Sequence, residues 1–433
     1  MSPLRYFLTG VWLLVFAPLL AQQNLSLHFL PQGNAALETQ PAKIDELRFD
    51  LSLPAVYVNA LHDGFAYADL IRPVPGSDSL RLDIPSALAQ LGDAGRLRIN
   101  GQVDLLTLRL RVAGIQASVF ARSRFDSYLA YPRDLLDLAW QGNGAFVGES
   151  LAIGPQAYGR AWHEVGAGAA LRVGKVSLGL RLKYLRGLAD VSLPAGTATF
   201  TTGAETFDLA AALDYQVMVS GLDLSDLGQG PQPVFGAVPA NQGWGADLGL
   251  TFAPGDKWLL SLSAIDLGYI RWTEAASQYR LSGAWTFEGL DAAAYLDGGD
   301  SLAWAPLLDS MAADLTWEET GGAYSTPLPA KVYLSASWQA LPLLRVGGLL
   351  HAEWYGGQMH PAVALNASTR VGKMLHAGLT YAVHHRQMDH LGAHALVKLG
   401  PMSLLVASDD VLAWVRPARA RATNARLGID ICL

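Results

Sequence analysis

The side chains able to do chemistry concentrate in the C-terminal part of the chain. Arg345, His351, Glu353, Asn366, Arg370, His376, His384, His394 and Lys398 fall on the polar phase of alternating stretches, and Asp266 stands apart upstream. Imidazoles raise the possibility of zinc or of proton transfer. Zinc needs its ligands to converge on one point, whereas eight residues along a strand span ~26 Å, so His376, His384 and His394 are not expected to share a metal. Ser368, His376 and Asn366 have the composition of a nucleophilic triad. No G-x-S-x-G elbow surrounds Ser368, and the P-loop, H-E-x-x-H and dinucleotide fingerprints do not occur in the sequence. No catalytic residue, metal or cofactor is therefore expected. Two readings remain for the polar set. It is a solvated pore wall, or it orients a ligand through Asp266, Arg345, His351, Glu353, Arg370, His376 and His394.

The elements that must carry these residues are strands. Val165, Ala167, Ala169, Leu171 and Val173 alternate with Gly166, Gly168, Ala170 and Arg172, and Gly174-Lys175 makes a tight turn. The chain returns as Val176, Leu178, Leu180, Leu182 and Tyr184, alternating with Ser177, Gly179, Arg181 and Lys183. This is a hairpin with one apolar and one polar face. The same alternation runs through 244–252, 332–338, 344–354, 361–369, 375–383, 391–399, 402–406 and 425–433. The apolar phase of these stretches holds no charged residue. The interleaved phase holds Arg172, Arg181, Lys183, Asp247, Arg345, Glu353, Lys398, Arg426 and Asp430. Such asymmetry suits a lipid-facing wall, where a midplane Lys or Arg costs about 2–4 kcal/mol. Trp244, Trp258, Trp272, Trp338 and Trp354-Tyr355 sit near strand ends, as girdle residues do.

Composition agrees. The 433 residues are 51% hydrophobic and only 16% charged, below the roughly 25% of soluble proteins. No apolar run of membrane-helix length occurs beyond the N-terminus, so helical spans are excluded. A net charge of −7 without a basic patch excludes nucleic acid as a partner. Arg5, the apolar stretch Phe7–Leu20 and the small Ala21 read as a cleaved export signal over 1–21. Cys432 is the only cysteine, which excludes an internal disulfide.

Two stretches change phase. In Arg96–Val112 the apolar positions move from odd (Leu97, Ile99, Val103, Leu105) to even (Leu106, Leu108, Leu110). In Leu259–Trp272 they move from Leu260 and Leu262 to Ile265, Leu267 and Tyr269. A one-residue slip exchanges faces, so each change predicts a β-bulge, the second at Ala264–Ile265 turning Asp266 inward. Short amphipathic helices are expected at Leu82–Leu91 and Asp134–Trp140, and Ser301–Leu315 has helical spacing. The stretches 126–150, 220–242 and 291–327 read as long connections. Turn parity asks 291–327 for one further crossing, as a strand or a plug.

Gln23–Gln32 (QNLSLHFLPQ), Asp63–Ile71 (DGFAYADLI), Tyr131–Gly148 (YPRDLLDLAWQGNGAFVG), Leu259–Trp272 (LLSLSAIDLGYIRW), Ser325–Trp338 (STPLPAKVYLSASW) and Ser408–Trp414 (SDDVLAW) resemble, in this order, an outer-membrane barrel family of Bacteroidota with no established function. That family is similar to long-chain fatty-acid-transporter barrels and to related secretion-system barrels. The resemblance implies no catalytic residue. The chain departs from many such barrels in ending Cys432-Leu433 rather than on an aromatic residue.

The expected architecture is all-β: one transmembrane antiparallel barrel of 14 to 18 strands in a Gram-negative outer membrane. Residues 22–95 form an N-terminal segment with a first strand and a plug or loop with a short helix, and 96–433 form the barrel. The expected function is passage of a small hydrophobic molecule. The alternatives are a structural or secretion-accessory barrel that docks a surface protein, and a membrane lipid hydrolase. Outer-membrane lipid is the expected surroundings.

Overall fold

Strands whose outward face is apolar can sit in lipid only if every edge is paired, and a closed ring is the arrangement without an edge. The computed structural model describes residues 25–223, 232–233, 241–287, 314–372, 374–384 and 387–432. The expected signal at 1–21, residues 301–313 of the expected helical stretch and the side chain of His384 lie outside the described set. Among the described residues, 14 antiparallel wall strands close into one barrel. They are β1 (Phe49–Ser52, resuming as Ala55–His62), β2 (Ala94–Val112), β3 (Ile115–Pro132), β4 (Gln156–Val173) and β5 (Val176–Leu193). Then follow β6 (Asn241–Phe252), β7 (Trp258–Trp272), β8 (Tyr324–Pro327, resuming as Lys331–Leu341), β9 (Leu344–Tyr355) and β10 (Gln358–Val371). The last four are β11 (Leu375–His384), β12 (Gln387–Leu399), β13 (Met402–Ser408) and β14 (Ala422–Cys432). β1 lies between β14 and β2, with Asp50 opposite Cys432 on one side and Arg109 on the other, and this seam closes the ring. The segment upstream of residue 96 thus supplies a wall strand as well as loop and plug.

Six tight turns lie at one end. The β2–β3 turn is Ala113-Gly114 with φ 52° and 84°, the left-handed pair of a two-residue hairpin loop. The opposite end carries most of the long connections, and in barrels of this class the short turns face the periplasm. At the long-loop end, Leu209–Ser220 pairs along its length with Ala276–Phe287. Thr197–Thr202 and Thr316–Gly321 flank that pair, so two connections merge into a small sheet standing on the barrel. The extra crossing expected within 291–327 is not required. β7 ascends, β8 descends, and Tyr324–Pro327 is the upper part of β8. The expected connection at 126–150 begins later than foreseen, because β3 continues to Pro132.

The two faces separate as the alternation requires. On β5, Leu178, Leu180 and Leu182 point outward and are 53%, 44% and 56% exposed, whereas Arg181 and Lys183 are buried. Trp244, Trp258, Trp338 and Trp354 are exposed near strand ends, in girdle positions. Trp272 is not among them. It is buried inside the barrel and donates to Thr326 Oγ1 at 2.9 Å, because the phase change below it turns even positions inward.

Both phase changes are bulges. Leu105 drops out of the β2–β3 ladder between Asp104 and Leu106. On β7, Ile265 and Asp266 together oppose Asp247 of β6, one position beyond the step expected at Ala264–Ile265. Asp266 has φ 60°, a left-handed conformation that Asp tolerates better than most residues. Helices form at Ile84–Gln90, where Asp83 caps the Ser86 amide, and at Arg133–Gln141.

Candidate functional site

The lumen is filled from within by the chain's own N-terminal segment. Residues 25–47 enter at mid-barrel and descend to the short-turn end before joining β1. The short helix α1 (Leu25–His28) hangs from Asp409, whose carboxylate accepts the Leu25 and Ser26 amides at 3.1 and 2.7 Å. Burial pushes the Asp409 carboxyl up to about 6, against those hydrogen bonds. His28 stacks on Tyr333 with ring centroids 5.4 Å apart and shares a proton with Ser335 Oγ at 2.8 Å. Burial, aided by the nearby Lys43 charge, holds the His28 imidazole down at about 3. Leu27, Leu30, Ala35 and Ala36 pack on Leu396, Leu405 and Ala407, an apolar patch of the inner wall.

Further down, Gln40 donates to Ser261 Oγ at 2.7 Å and to the Leu262 carbonyl at 3.1 Å. The segment lies against the wall at two paired glycines. A Cβ on Gly179 would sit 2.4 Å from Pro41 backbone atoms, and one on Gly249 would sit 2.2 Å from Gln40 Oε1. Only glycine leaves room for the plug there. Lys43 contacts the Leu30 carbonyl, and burial brings its amine down to about 7, assisted by the Arg345 charge.

A belt of charge crosses the lumen at the level of the bulge. Asp266 pairs with Lys183 at 2.5 Å, Arg124 at 2.9 Å and Lys331 at 3.4 Å. Lys183 also reaches Asp247 at 2.6 Å and Glu164 at 3.7 Å, and Asp247 meets Arg181 at 3.5 Å. Lys331 leads to Glu353 at 3.6 Å, then to Arg98 at 3.0 Å and Asp126 at 2.8 Å. Glu164 leads back through Arg124 to Asp266 and onward through Arg122 to Asp104, Glu38 and Arg426. Seven cations and seven carboxylates are joined in one network, and no side chain in it is more than 14% exposed. Neutrality is what makes so much buried charge tenable. The plug contributes one member, Glu38. Burial alone would raise its carboxyl, but Arg426 and Arg122 outweigh that and hold it at about 2.

Of the residues singled out from the sequence, Asp266 and Glu353 belong to this belt. His351 is buried beside them, its ring 4.4 Å from Tyr333. Arg345 lies nearer the short-turn end and donates to Gln339 at 3.0 Å. Arg370 is exposed by its turn and donates to the Gly372 carbonyl at 3.2 Å. His376 and His394 stack at 5.4 Å on neighbouring strands. The separation expected between them holds only along one strand, and pairing across the β11–β12 ladder removes it. Among the described residues, no three His, Cys, Asp or Glu side chains converge for a metal. Asn366 is engaged by the Leu379 carbonyl and Thr380 Oγ1, both at 3.0 Å, and does not orient a histidine. At the belt, Asp266 and Glu353 are buried and ion-paired rather than facing an open pore.

Above the belt, on the long-loop side, the interior turns apolar. Trp162, Leu185, Ile270, Trp272, Tyr324 and Leu328 form one buried cluster. Beside it the wall is interrupted. β7 and β8 pair at Ile265–Lys331 and again at Tyr269–Pro327, and between these the one ladder bond is Leu328 N–H to the Gly268 carbonyl at 2.9 Å. Pro327 and Pro329 have no N–H to offer. A cavity of about 30 Å³, room for about one water, lies behind the gap against Arg124, Trp162, Pro329 and Lys331.

Sequence reasoning missed Glu38, Arg98, Asp104, Arg122, Arg124, Asp126, Glu164 and Lys331. For six of them the available signal was charge on the inward phase of 96–132 and 156–164; Glu38 and Lys331 lie outside those stretches.

The solved structures similar to this chain are barrels. They include the Ralstonia pickettii toluene transporter TbuX (8% identity, TM-score 0.45, 92% of each chain covered) and a Pseudomonas aeruginosa FadL homologue (12%, 0.43, 93% of this chain and 94% of that one). A TodX monoaromatic hydrocarbon channel mutant is also similar (11%, 0.44, 92% and 93%). The chain matches no curated protein sequence. A family model matches residues 41–409, from the lower plug to the Asp409 that holds its upper end, and the chain belongs to that family of unknown function, DUF5723.

Proposed function

We propose that the protein is an outer-membrane barrel, exported by residues 1–21, that passes a small hydrophobic molecule laterally between β7 and β8. One observation carries this reading: a buried apolar cluster on the long-loop side abuts the interrupted stretch of wall, directly above a closed charge belt. An apolar molecule that enters from the loops meets matching surface first. Its axial way is then barred by buried ion pairs that would have to be desolvated further. Sideways, it meets a gap flanked by two prolines, with lipid beyond. On this reading Asp266, Lys331, Glu353 and His351 meet a ligand's polar end once the pairs at the gap part. Arg345, Arg370, His376 and His394 lie below, around the plug.

The test is a pair of cysteines at Tyr269 and Pro327, outward-facing register partners of β7 and β8 at the rim of the gap, in a Cys432→Ser background. Uptake of a small apolar fluorophore by proteoliposomes should fall at least tenfold on oxidation and return on reduction. Unchanged uptake with the cross-link formed refutes the route. The alternative of a barrel that docks a partner protein is favoured by the exposed strand Thr316–Gly321, which among the described residues pairs on one edge only. Stable co-purification of one protein, lost when this strand is replaced, would favour it.

A further inference from the structure

The C-terminal part of the wall is short of carboxylates. From Lys331 to Ser408, the lower part of β8 and all of β9 to β13, the sequence holds two, Glu353 and Asp389. Neither stands near the short-turn end. Glu353 is eight residues up β9 from Arg345, ~26 Å of strand, and Asp389 is nine residues up β12 from Lys398, ~30 Å. The inward phase at that end carries Arg345 on β9, Arg370 on β10 and His376 on β11, with His394 one step higher on β12.

Pairing sets these residues side by side. Arg345 stands opposite Ser368, two residues from Arg370 on the same face of β10. The Cα atoms of diagonal neighbours of this kind are about 7–8 Å apart, which two arginine side chains easily close on one ion. Arg370 stands opposite His376, and Gly378, two residues further on, stands opposite His394. The plug brings Lys43 to the same place. The Lys43, Arg345 and Arg370 charges all bear on His376, and that of Lys43 bears on His394 as well.

The cluster has cations without a counter-charge. Arg345 commits its Nε to Gln339 and Arg370 its Nε to the Gly372 carbonyl. Among the described residues, both terminal nitrogens of each guanidinium stay unengaged. Lys43 gives the Leu30 carbonyl one of its three N–H bonds. The carboxylates nearby are taken or turned away: Glu38 by Arg426, Asp45 by Arg109 at 2.6 Å, Asp50 by Arg109 and Asp430 by the Ser52 hydroxyl, while Glu46 is exposed. His394 is 2% exposed, and among the described residues neither of its ring nitrogens has a hydrogen-bond partner. Nδ1 of His376 has none either. Buried polar groups without a partner are rare, and these nitrogens stand beside three unpaired cations. The cluster opens to the short-turn mouth, since Arg370 is exposed and Lys43, Arg345 and His376 are half-buried.

We propose that Arg345, Arg370 and Lys43, with His376 and His394 behind them, bind an oxyanion of the phosphate class from the periplasmic side. Guanidinium forks match phosphate with bidentate geometry, and the ammonium adds a point charge. Three cations favour a dianion over a single carboxylate. Held between the wall and Lys43, the ion ties the lower plug to β9 and β10. The site is independent of the transport reading, because it lies on the other side of the charge belt from the gap and shares no residue with it.

The experiment uses the full mature chain in detergent and chloride buffer, titrated calorimetrically with inorganic phosphate and, separately, with glycerol 1-phosphate. Wild type should bind one phosphate with a Kd of about 1 mM or tighter. An R345Q/R370Q variant should bind at least tenfold more weakly and melt as wild type does in phosphate-free buffer. Lys43→Met, which leaves the wall untouched, should weaken binding too, while R81Q, in an exposed hairpin on the long-loop side, keeps it. Glycerol phosphate bound as tightly as phosphate supports the proposal with a larger phosphorylated molecule as the source. Its exclusion supports the proposal with the free ion as the source. Absence of saturable phosphate binding by wild type overturns the proposal without any variant, and undiminished binding by R345Q/R370Q overturns it as well. A glutamate-rich peptide that binds more tightly than phosphate overturns it in favour of a protein partner.

Discussion

Replacing Asp266 with Asn tests whether charge balance in the belt holds the barrel together. Asn keeps the volume and tolerates the positive φ of 60°. What changes is the count, from seven cations and seven carboxylates to seven and six. Each cation on Asp266 keeps at least one other partner: Arg124 keeps Glu164 at 3.2 Å, Lys183 keeps Asp247 at 2.6 Å and Glu164 at 3.7 Å, and Lys331 keeps Glu353 at 3.6 Å. The loss should therefore fall at the lower end of the ~3–5 kcal/mol for breaking a buried pair, about 3 kcal/mol. Lys331 makes the longest of the three contacts and is the most exposed of the three cations. Adding Lys331→Met restores six against six and should recover about half of the loss. Urea unfolding in lipid vesicles reads both, with Trp162 as a fluorescent reporter because the Arg124 guanidinium lies 5.1 Å from its ring. Asp266→Asn within about 0.5 kcal/mol of wild type, the usual range of surface substitutions, would refute the argument. So would a double variant less stable than the single.

Acid should loosen the plug through His28. Its folded pKa of about 3 lies below the ordinary 6.5, so its contribution is complete above pH 6.5 and is lost as pH falls toward 3. Between pH 7 and 4.5 that amounts to about 2–3 kcal/mol, and His28→Phe should remove this part of the pH slope in vesicle unfolding. Gly249→Ala places a methyl against Gln40, where overpacking costs about 1–3 kcal/mol. Tryptic cleavage after Lys43 should then be faster than in wild type, and an unchanged rate would mean that the plug adapts freely.

The alternation made the wall legible because lipid admits only one kind of residue. Leu178, Leu180 and Leu182 could point nowhere else, and the phase changes at Leu105 and Ile265 were readable from that rule alone. The interior was not legible in the same way. An inward Arg122 or Glu164 looks the same in a watery pore and in a packed belt, since the difference lies in partners hundreds of residues apart, such as Glu38 and Arg426. For a related reason the sequence offered a plug only as one option for 22–95 and did not locate it. Leu25, Leu27 and Leu30 read as a short apolar stretch, and their surface on Leu396 and Leu405 exists only after the barrel has closed. His376 and His394 show the limit of linear spacing, because a hairpin brings together what the count keeps apart.

The seam between β14 and β1 bears on the order of assembly. β1 continues the plug, and the same strand makes the last contact of the ring, with Asp50 between Arg109 and Cys432. Arg426 of β14 finds Glu38 only when the plug is already threaded inside. Zipping the seam first would leave Arg426 with Asp104 alone and the place of Glu38 in the belt empty, so closure and plug insertion are expected to be coupled. A chain arriving at the insertion machinery with its N-terminal segment held back should stall as an open, fully stranded sheet. The plug is in this sense the template on which the ring is completed, whatever else it does once the barrel is shut.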